Sequence, residues 1–372
     1  MGIESELKST VYNHRKTLNC IAEKGREEFK TSEYIRNYLD SLDISYKKCL
    51  GTGTVGILKG KIGKRTIAFR ADIDGLPTDQ GVKHLCGHDG HTSILLGLME
   101  FLHRHKESLN DNIVFIFQPA EEGPGGAEEL LKLGVFDEYK VDEVYGLHMY
   151  PEIKSGYIGL KSGYFMAQIG DFDIDIIAKS GHGAMPQNGI DGIIIAANLV
   201  NNLQTIVSRN VSPIDNAVLS IGKIDGGVRR NIIAENVNLQ GTIRTFNPHT
   251  YEYMKKRVRE ICAGIEISYN CKVNVEIRDD YPAVNNDKDL TNEFIEAIGK
   301  ENIIELNPLM ISEDFSYYQQ KVPGLFFMLG CRDEKQGYVD SLHNINFNFD
   351  EKVLINGIET YINLLKYKGS ID

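Results

Sequence analysis

Within His84-Leu-Cys-Gly-His-Asp-Gly-His-Thr92 the chain places one thiol and three imidazoles, a set of donor atoms too polar for a hydrophobic core. Cys86 and His88 flank a single glycine, Gly87, which lets both side chains turn toward one point. Thiolate and neutral imidazole are the usual soft and borderline donors for zinc, nickel, cobalt or manganese. A second cluster, Glu121-Glu122, offers one carboxylate as a ligand and its neighbour as a general base toward water. His148, and His343 in Ser341-Leu-His-Asn344, could complete the set, while Asp72, Asp74 and Asp89 could orient ligand imidazoles. Cys86, His88, Glu122, His148 and His343 are more donors than one tetrahedral ion needs, so two ions are the natural content. Each residue also has a plain structural alternative. Cys86 could be a small buried apolar side chain, the glutamate pair a solvated acidic turn, and His148 a hydrogen-bonded core histidine. His103 and His105 suit a helix C-terminus, and His249 opens a helix.

What must position these groups is an alternation of strands and helices. Glu4 to Leu42 reads as two helices broken near Lys24–Gly25, with Tyr34, Ile35 and Leu39 forming an apolar face on the second. Strands follow at Gly53–Leu58 and Arg65–Arg70, the latter ending in Asp72 and Asp74. The spacing of Ile94, Leu95, Leu98, Phe101 and Leu102 predicts a helix over Ser93–His105, directly after the Cys86 loop. Asn112–Gln118 is an apolar run short enough for a strand buried on both faces, and it ends at the glutamate pair. Glu143–Leu147 is the next strand, with His148 at its end. Such alternation predicts an α/β domain with a mainly parallel sheet flanked by helices. The polar clusters then fall past the carboxyl ends of parallel strands, the edge where such sheets hold ligands.

After Gly163 the pattern changes. Asp171–Ile177 alternates strictly; a helix at Asp191–Ser208, strands at Ala217–Ile224 and Asn236–Phe246, a helix at Pro248–Tyr269 and a strand at Lys272–Arg278 follow. The order β-α-β-β-α-β is that of a ferredoxin-like α+β domain, placed at 163–281 as an insertion between 1–162 and 282–372. A buried strand at Leu325–Gly330 and a closing helix at Val353–Leu365 complete the first domain.

Composition narrows the function classes. With 41 basic against 52 acidic residues the formal charge is −11, which argues against nucleic acid or an anionic membrane as partner. The six cysteines (20, 49, 86, 262, 271 and 331) lack the short paired spacings of a zinc ribbon or a disulfide framework. Met1–Thr10 does not resemble a signal peptide, and no apolar run is long enough to span a bilayer. The expectation is a cytoplasmic protein with reduced thiols.

Arg70-Ala-Asp-Ile-Asp-Gly-Leu-Pro77, Cys86-Gly-His-Asp-Gly-His91, Gln118-Pro-Ala-Glu-Glu122, Gly181-His-Gly-Ala-Met-Pro186 and Gly241-Thr-Ile-Arg-Thr-Phe246 together resemble a known family. It is the metal-dependent amidohydrolases of the aminoacylase and carboxypeptidase-G superfamily, in the branch of hippurate hydrolase, indole-acetyl-amino-acid hydrolases and N-acetyldiaminopimelate deacetylase. The resemblance covers nearly the whole chain in the same order. It implies a zinc-exopeptidase-like first domain, with Cys86, His88, Glu122, His148 and His343 as ligands of two divalent ions and Glu121 as general base. It further implies that the inserted domain is a lid that can dimerise. His182 would bind substrate and its oxyanion, and Asn231 and Arg244 would line the substrate carboxylate side. Two stretches depart from the family pattern. Leu18-Asn-Cys-Ile-Ala-Glu23 lacks the usual His and Pro, and the loop between Pro77 and His84 is markedly shorter than usual. The latter borders the ligand loop, so the acyl-chain preference is not carried over.

The implied reaction is hydrolysis of the amide of an N-acyl amino acid, N-acetyl, N-benzoyl or similar, by attack of a metal-bridging water. Wording around Gln118–Glu129 and Leu203–Asn210 makes N-acetyldiaminopimelate a substrate candidate. A di-metal dipeptidase or other exopeptidase is the alternative within the enzyme class. A non-catalytic binding protein that keeps the fold is the alternative outside it. A redox role for Cys86 ranks last, since no resolving cysteine lies near it in sequence.

Overall fold

Asn112-Ile-Val-Phe-Ile-Phe-Gln118 is rich in β-branched and aromatic residues, and it forms a strand buried from Ile113 onward. Its neighbour Thr66–Asp72 is buried at every position. In the computed structural model, which describes residues 3–372, these two strands lie at the centre of an eight-stranded sheet. Met1 and Gly2, where the leader reading and the 1–162 range begin, lie outside the described residues. The strand order is Tyr46–Cys49, Gly53–Leu58, Asn112–Gln118, Thr66–Asp72, Glu143–Lys154, Gly324–Arg332, Ile158–Leu160 and Ile303–Glu305. The four central strands run parallel, while Gly53–Leu58 joins antiparallel to Asn112–Gln118 and Ile158–Leu160 antiparallel to Gly324–Arg332. The expected mainly parallel sheet is therefore present, with antiparallel pairings toward both edges.

Helices cover this sheet because their apolar side chains have nowhere else to go. The helix His88–Arg104 is buried from His88 through Leu102, so it is a core element wrapped all round rather than an amphipathic surface helix. The closing helix Lys352–Tyr367 buries Val353, Leu354, Ile358, Tyr361 and Leu365 in the same core. Each such side chain is worth about 2 kcal/mol relative to exposure.

The chain divides into two compact units. The first is Met1–Gly163 with Asn285–Asn307 and Asp314–Asp372; the second is Tyr164–Val284 with Pro308–Glu313. The second unit has its own core and a wholly antiparallel sheet in the order Ala217–Gly226, Asn236–Thr245, Gln168–Ile177, Lys272–Asp279. Phe172, Ile174 and Ile176 alternate inward against the helices Gly192–Thr205 and Pro248–Tyr269. Both helices are capped as their sequences suggest, by the Asp191 carboxylate and by the Asn247 side chain ahead of Pro248. The segment 308–313 joins this unit from outside the 163–281 range.

Three local readings are corrected. The central helix begins at His88 rather than Ser93, because Gly87 at φ +87° caps it in the left-handed region. The strand expected over Glu143–Leu147 runs on to Lys154, which puts His148 inside the strand and not at its end. The segment between Pro77 and His84 is no open loop: Leu76–Thr78 and Gly81–Lys83 pair as a tight hairpin.

Candidate metal centre

Sheet register brings the donors together. Arg70 pairs with Gly146 on one side and with Ile116 on the other, so Asp72 ends its strand level with Gln118 and, two residues further along, with His148. The Cys86–His88 turn closes over this edge. Gly87 is required there on two counts: its φ is +87°, and a Cβ would lie 3.0 Å from the Met149 side chain. His343, itself at φ +65°, is brought in by its N–H donating to Leu85 O at 2.8 Å.

The result is one cluster of the expected donors. Cys86 Sγ lies 3.3 Å from His148 Nε2 and 3.2 Å from His343 Nε2. Glu122 Oε1 is 3.5 Å from His343 Nε2 and 3.9 Å from His88 Nε2, and Glu121 Oε2 is also 3.9 Å from His88 Nε2. Glu121 is buried, so it does not face bulk solvent. The imidazoles are turned by their other nitrogens. His88 Nδ1 donates to Asp74 O at 2.9 Å and His148 Nδ1 to Met149 O at 2.7 Å, which turns each Nε2 toward the other donors. Among the described residues, His88 Nε2 and Glu122 Oε1 are buried without a hydrogen-bond partner. An orphaned buried imidazole and carboxylate oxygen, aimed at the same space as a thiol, fit a divalent cation.

Electrostatics point the same way. With no cation counted, burial and then Glu122, Glu121 and Asp72 hold the Cys86 thiol well above its usual value. Burial opposes a charge on His88, but Asp72, Asp74 and Glu122 outweigh it and push the imidazole up to about 10. Burial, with His91 beside it, brings His148 down to about 3. His343 is raised by the Glu122 carboxylate. The pocket is thus a negative field that favours positive charge, which is the condition under which a thiolate and neutral imidazoles become ligands.

Asp72 and Asp74 lie beside the donor cluster, in unequal ways. Asp72 accepts from His91 Nδ1 at 2.6 Å and from Arg70 Nη1 at 2.8 Å; Asp74 Oδ2 accepts from the Glu122 N–H at 3.1 Å. His91 accepts the Met149 N–H on Nε2 at 2.8 Å, so both its nitrogens are engaged and it pins Asp72 to the His148 strand. The expectation for Asp89 is corrected: its carboxylate is taken by Arg15 at 3.4 Å and Asn19 at 2.9 Å rather than by an imidazole. Sequence reasoning missed His91 as a separate element, and it missed Glu28 and Asp314, whose buried carboxylates accept the Ala120 N–H and the Gly126 and Ala127 N–H groups on either side of the glutamate pair. The pairing of a carboxylate with a turn so far along the chain leaves no local signal.

The remaining expected residues belong to the second unit. His182 is exposed on a two-residue strand paired with Ile232–Ile233, and its Nδ1 accepts the Ala184 N–H at 3.1 Å. Asn231 adjoins it, its carbonyl accepting the Gly183 N–H at 2.9 Å. Arg244 lies on the strand Asn236–Thr245 and donates to Met310 O at 2.9 Å.

Residues 68–367 match the model of peptidase family M20/M25/M40. The chain belongs to that family. It is accordingly an amide-cleaving, metal-binding hydrolase, as the sequence resemblance implied. Among curated relatives it is similar to an N-acetyldiaminopimelate deacetylase of Bacillus cytotoxicus, 39% identical over 96% of this chain and 97% of the relative. Among solved structures it is similar to a protein from methicillin-resistant Staphylococcus aureus, with TM-score 0.91 and 31% identity over 97% of this chain and 96% of that one. A dinuclear metal-binding peptidase of the M20 family from Bacillus subtilis superposes with TM-score 0.83 at 28% identity, over 98% of this chain and 99% of that one. Among the described residues no helix is long and apolar enough to cross a membrane.

Proposed function

We propose that this M20 hydrolase removes the acyl group from an N-acyl amino acid, with N-acetyldiaminopimelate the first substrate to test. The observation that carries the reading is the meeting of Cys86, His88, Glu122, His148 and His343, with orphaned donor atoms at His88 and Glu122, beside the buried carboxylate of Glu121. The substrate itself is suggested by the deacetylase relative that aligns along almost the full chain. In this reading the five residues hold two divalent ions, manganese, zinc, nickel or cobalt. Bound there, such ions would polarise the scissile carbonyl and acidify a water.

Glu121 takes a proton from the attacking water as its oxygen bonds to the carbonyl carbon. It returns that proton to the nitrogen as the C–N bond breaks, releasing the amine and the acyl group as its carboxylic acid, which then ionises to the carboxylate. His182, whose Nδ1 is already an acceptor, has Nε2–H to donate to the oxyanion. Asn231 and Arg244 would bind the substrate carboxylate. Asp72 and Asp74 keep the ligand side chains oriented. The second unit would act as a lid and as the surface of a homodimer, and the enzyme would work in the cytoplasm.

Elemental analysis of the purified protein, with hydrolysis rates on N-acetyldiaminopimelate, N-acetyl and N-benzoyl amino acids and a matching dipeptide, tests the reading. Preference for an N-acyl amino acid supports it. Preference for the dipeptide replaces it with an exopeptidase, and stoichiometric metal without turnover on any of them replaces it with a binding protein.

A further inference from the structure

Glu121 and Glu122 lie on a turn, Pro119–Gly126, that has no regular structure of its own and leads into the helix Ala127–Lys132, and the backbone N–H groups there need acceptors. Leaving a buried N–H unmet costs about 1–3 kcal/mol. The turn is held at both ends by carboxylates outside the ligand set. At its start Glu28, fully buried, accepts the Ala120 N–H on Oε1 at 2.9 Å, while its Oε2 accepts the Thr52 hydroxyl at 2.7 Å. Ala120 is at φ +59°, a left-handed conformation that an alanine adopts only when its surroundings impose it. At its end Asp314, also fully buried, accepts the Gly126 N–H at 2.9 Å and the Ala127 N–H at 3.1 Å on one oxygen. The same carboxylate accepts from Arg70 Nη2 at 2.8 Å and from Gln118 Nε2 at 2.8 and 2.9 Å. Gly126 must be glycine for this closure, since a Cβ there would sit 2.0 Å from Pro119 O. The two glutamates therefore stand between fixed points at 120 and at 126–127, with the Glu122 N–H also held by Asp74 Oδ2 at 3.1 Å.

We propose that Glu28 and Asp314 are positioning residues of the reaction: they set the turn so that the Glu122 carboxylate faces the cation space and the Glu121 carboxylate faces the substrate. Neither touches the reacting atoms. The inference rests on the reading of Glu121 and Glu122 as base and ligand. It makes a distinction that simple stabilisation would not. Gln at position 28 can still accept the Ala120 N–H on its amide oxygen and donate to the Thr52 oxygen, whereas Ala can do neither.

The test compares wild type with Glu28→Ala, Glu28→Gln and Asp314→Asn, each held well below its own melting temperature. Zinc affinity is read by competition with a chromophoric chelator, and kcat and KM are read separately on an N-acetyl amino acid. Glu28→Ala should weaken zinc binding and lower kcat by ~10–100-fold each, with KM little changed. Glu28→Gln should restore both. Asp314→Asn, which removes the charge and one acceptor oxygen, should shift both in the direction of Glu28→Ala, and it carries the test alone if Glu28→Ala fails to accumulate. Wild-type zinc affinity and kcat in Glu28→Ala, or a Glu28→Gln variant as impaired as Glu28→Ala, would overturn the proposal, as would an unaffected Asp314→Asn. If wild type binds zinc but cleaves no N-acyl amino acid, the substrate reading falls while the affinity series still decides the anchoring.

Discussion

The turn Pro119–Gly126 in the first unit has its backbone held from far along the chain, by Glu28 and Asp314, whereas Gly181–Gly189 in the second unit is held mostly from within. In that second stretch the N–H groups of Ala184, Met185, Asn188 and Gly189 bond inside the segment, while Gly181–His182 pairs with Ile232–Ile233 and the Gly183 N–H reaches the neighbouring Asn231 carbonyl. The first turn is largely buried and carries a carboxylate with an orphaned oxygen; the second is exposed, with Met185 at 53%. The contrast teaches what each side chain is asked to do. A side chain proposed to hold a cation or carry a proton needs its backbone fixed in advance, and here distant, buried groups fix it. His182, proposed to meet substrate, stands on an exposed strand with largely local support.

The largest expected effect lies on the buried side. Glu121→Gln keeps shape but cannot take a proton, and kcat should fall by ~10²–10⁴-fold while the bound metal and the melting curve stay close to wild type. Equal rates for the two proteins would remove Glu121 from the reaction. On the exposed side, His182→Ala should lower kcat by ~10²–10³-fold, as loss of an oxyanion donor does. Being exposed, that change should move stability by no more than about 0.5 kcal/mol. A large drop in melting temperature for His182→Ala would erase the proposed contrast between the two regions.

Metal removal should separate the units next. An ion kept a thousandfold above its dissociation constant stabilises the state that binds it by ~4 kcal/mol. Dialysis against a chelator should therefore lower a calorimetric transition of the first unit and leave that of the second where it was. Movement of both together would mean the centre is not confined to the first unit.

The smallest effect concerns acid. His14, buried in the first core beside Tyr34 and Tyr38, is brought down by burial from 6.5 to about 4. Its folded value is depressed, so the unfolded chain binds the extra proton first. The stability associated with neutral His14 is complete above pH ~6.5 and declines as pH falls toward the folded value, by at most ~3 kcal/mol. His14→Gln, which retains an acceptor for the Tyr34 hydroxyl, should flatten melting temperature against pH for the first unit in this window. An unchanged slope in the variant would assign the acid sensitivity elsewhere.

Sequence alone determined the elements and the donor types. Periodicity marked the helix Pro248–Tyr269 at the bounds it has in the structure, and the alternating run at Asp171–Ile177, because both signals repeat over many neighbouring residues. Cys86, His88, Glu121, Glu122, His148 and His343 could be singled out as candidates because thiols, imidazoles and carboxylates are the groups that bind cations and move protons. Short strands such as Ile158–Leu160 and Ile303–Glu305 span too few residues to show a period. Tertiary structure alone decided where the helix at His88 starts and how far the His148 strand runs. It also decided that Glu28 and Asp314 hold a turn 92 and 188 residues away. The physical reason is range: propensity and periodicity act over a few residues, while a hydrogen bond between distant segments exists only after sheet register has set both ends in place.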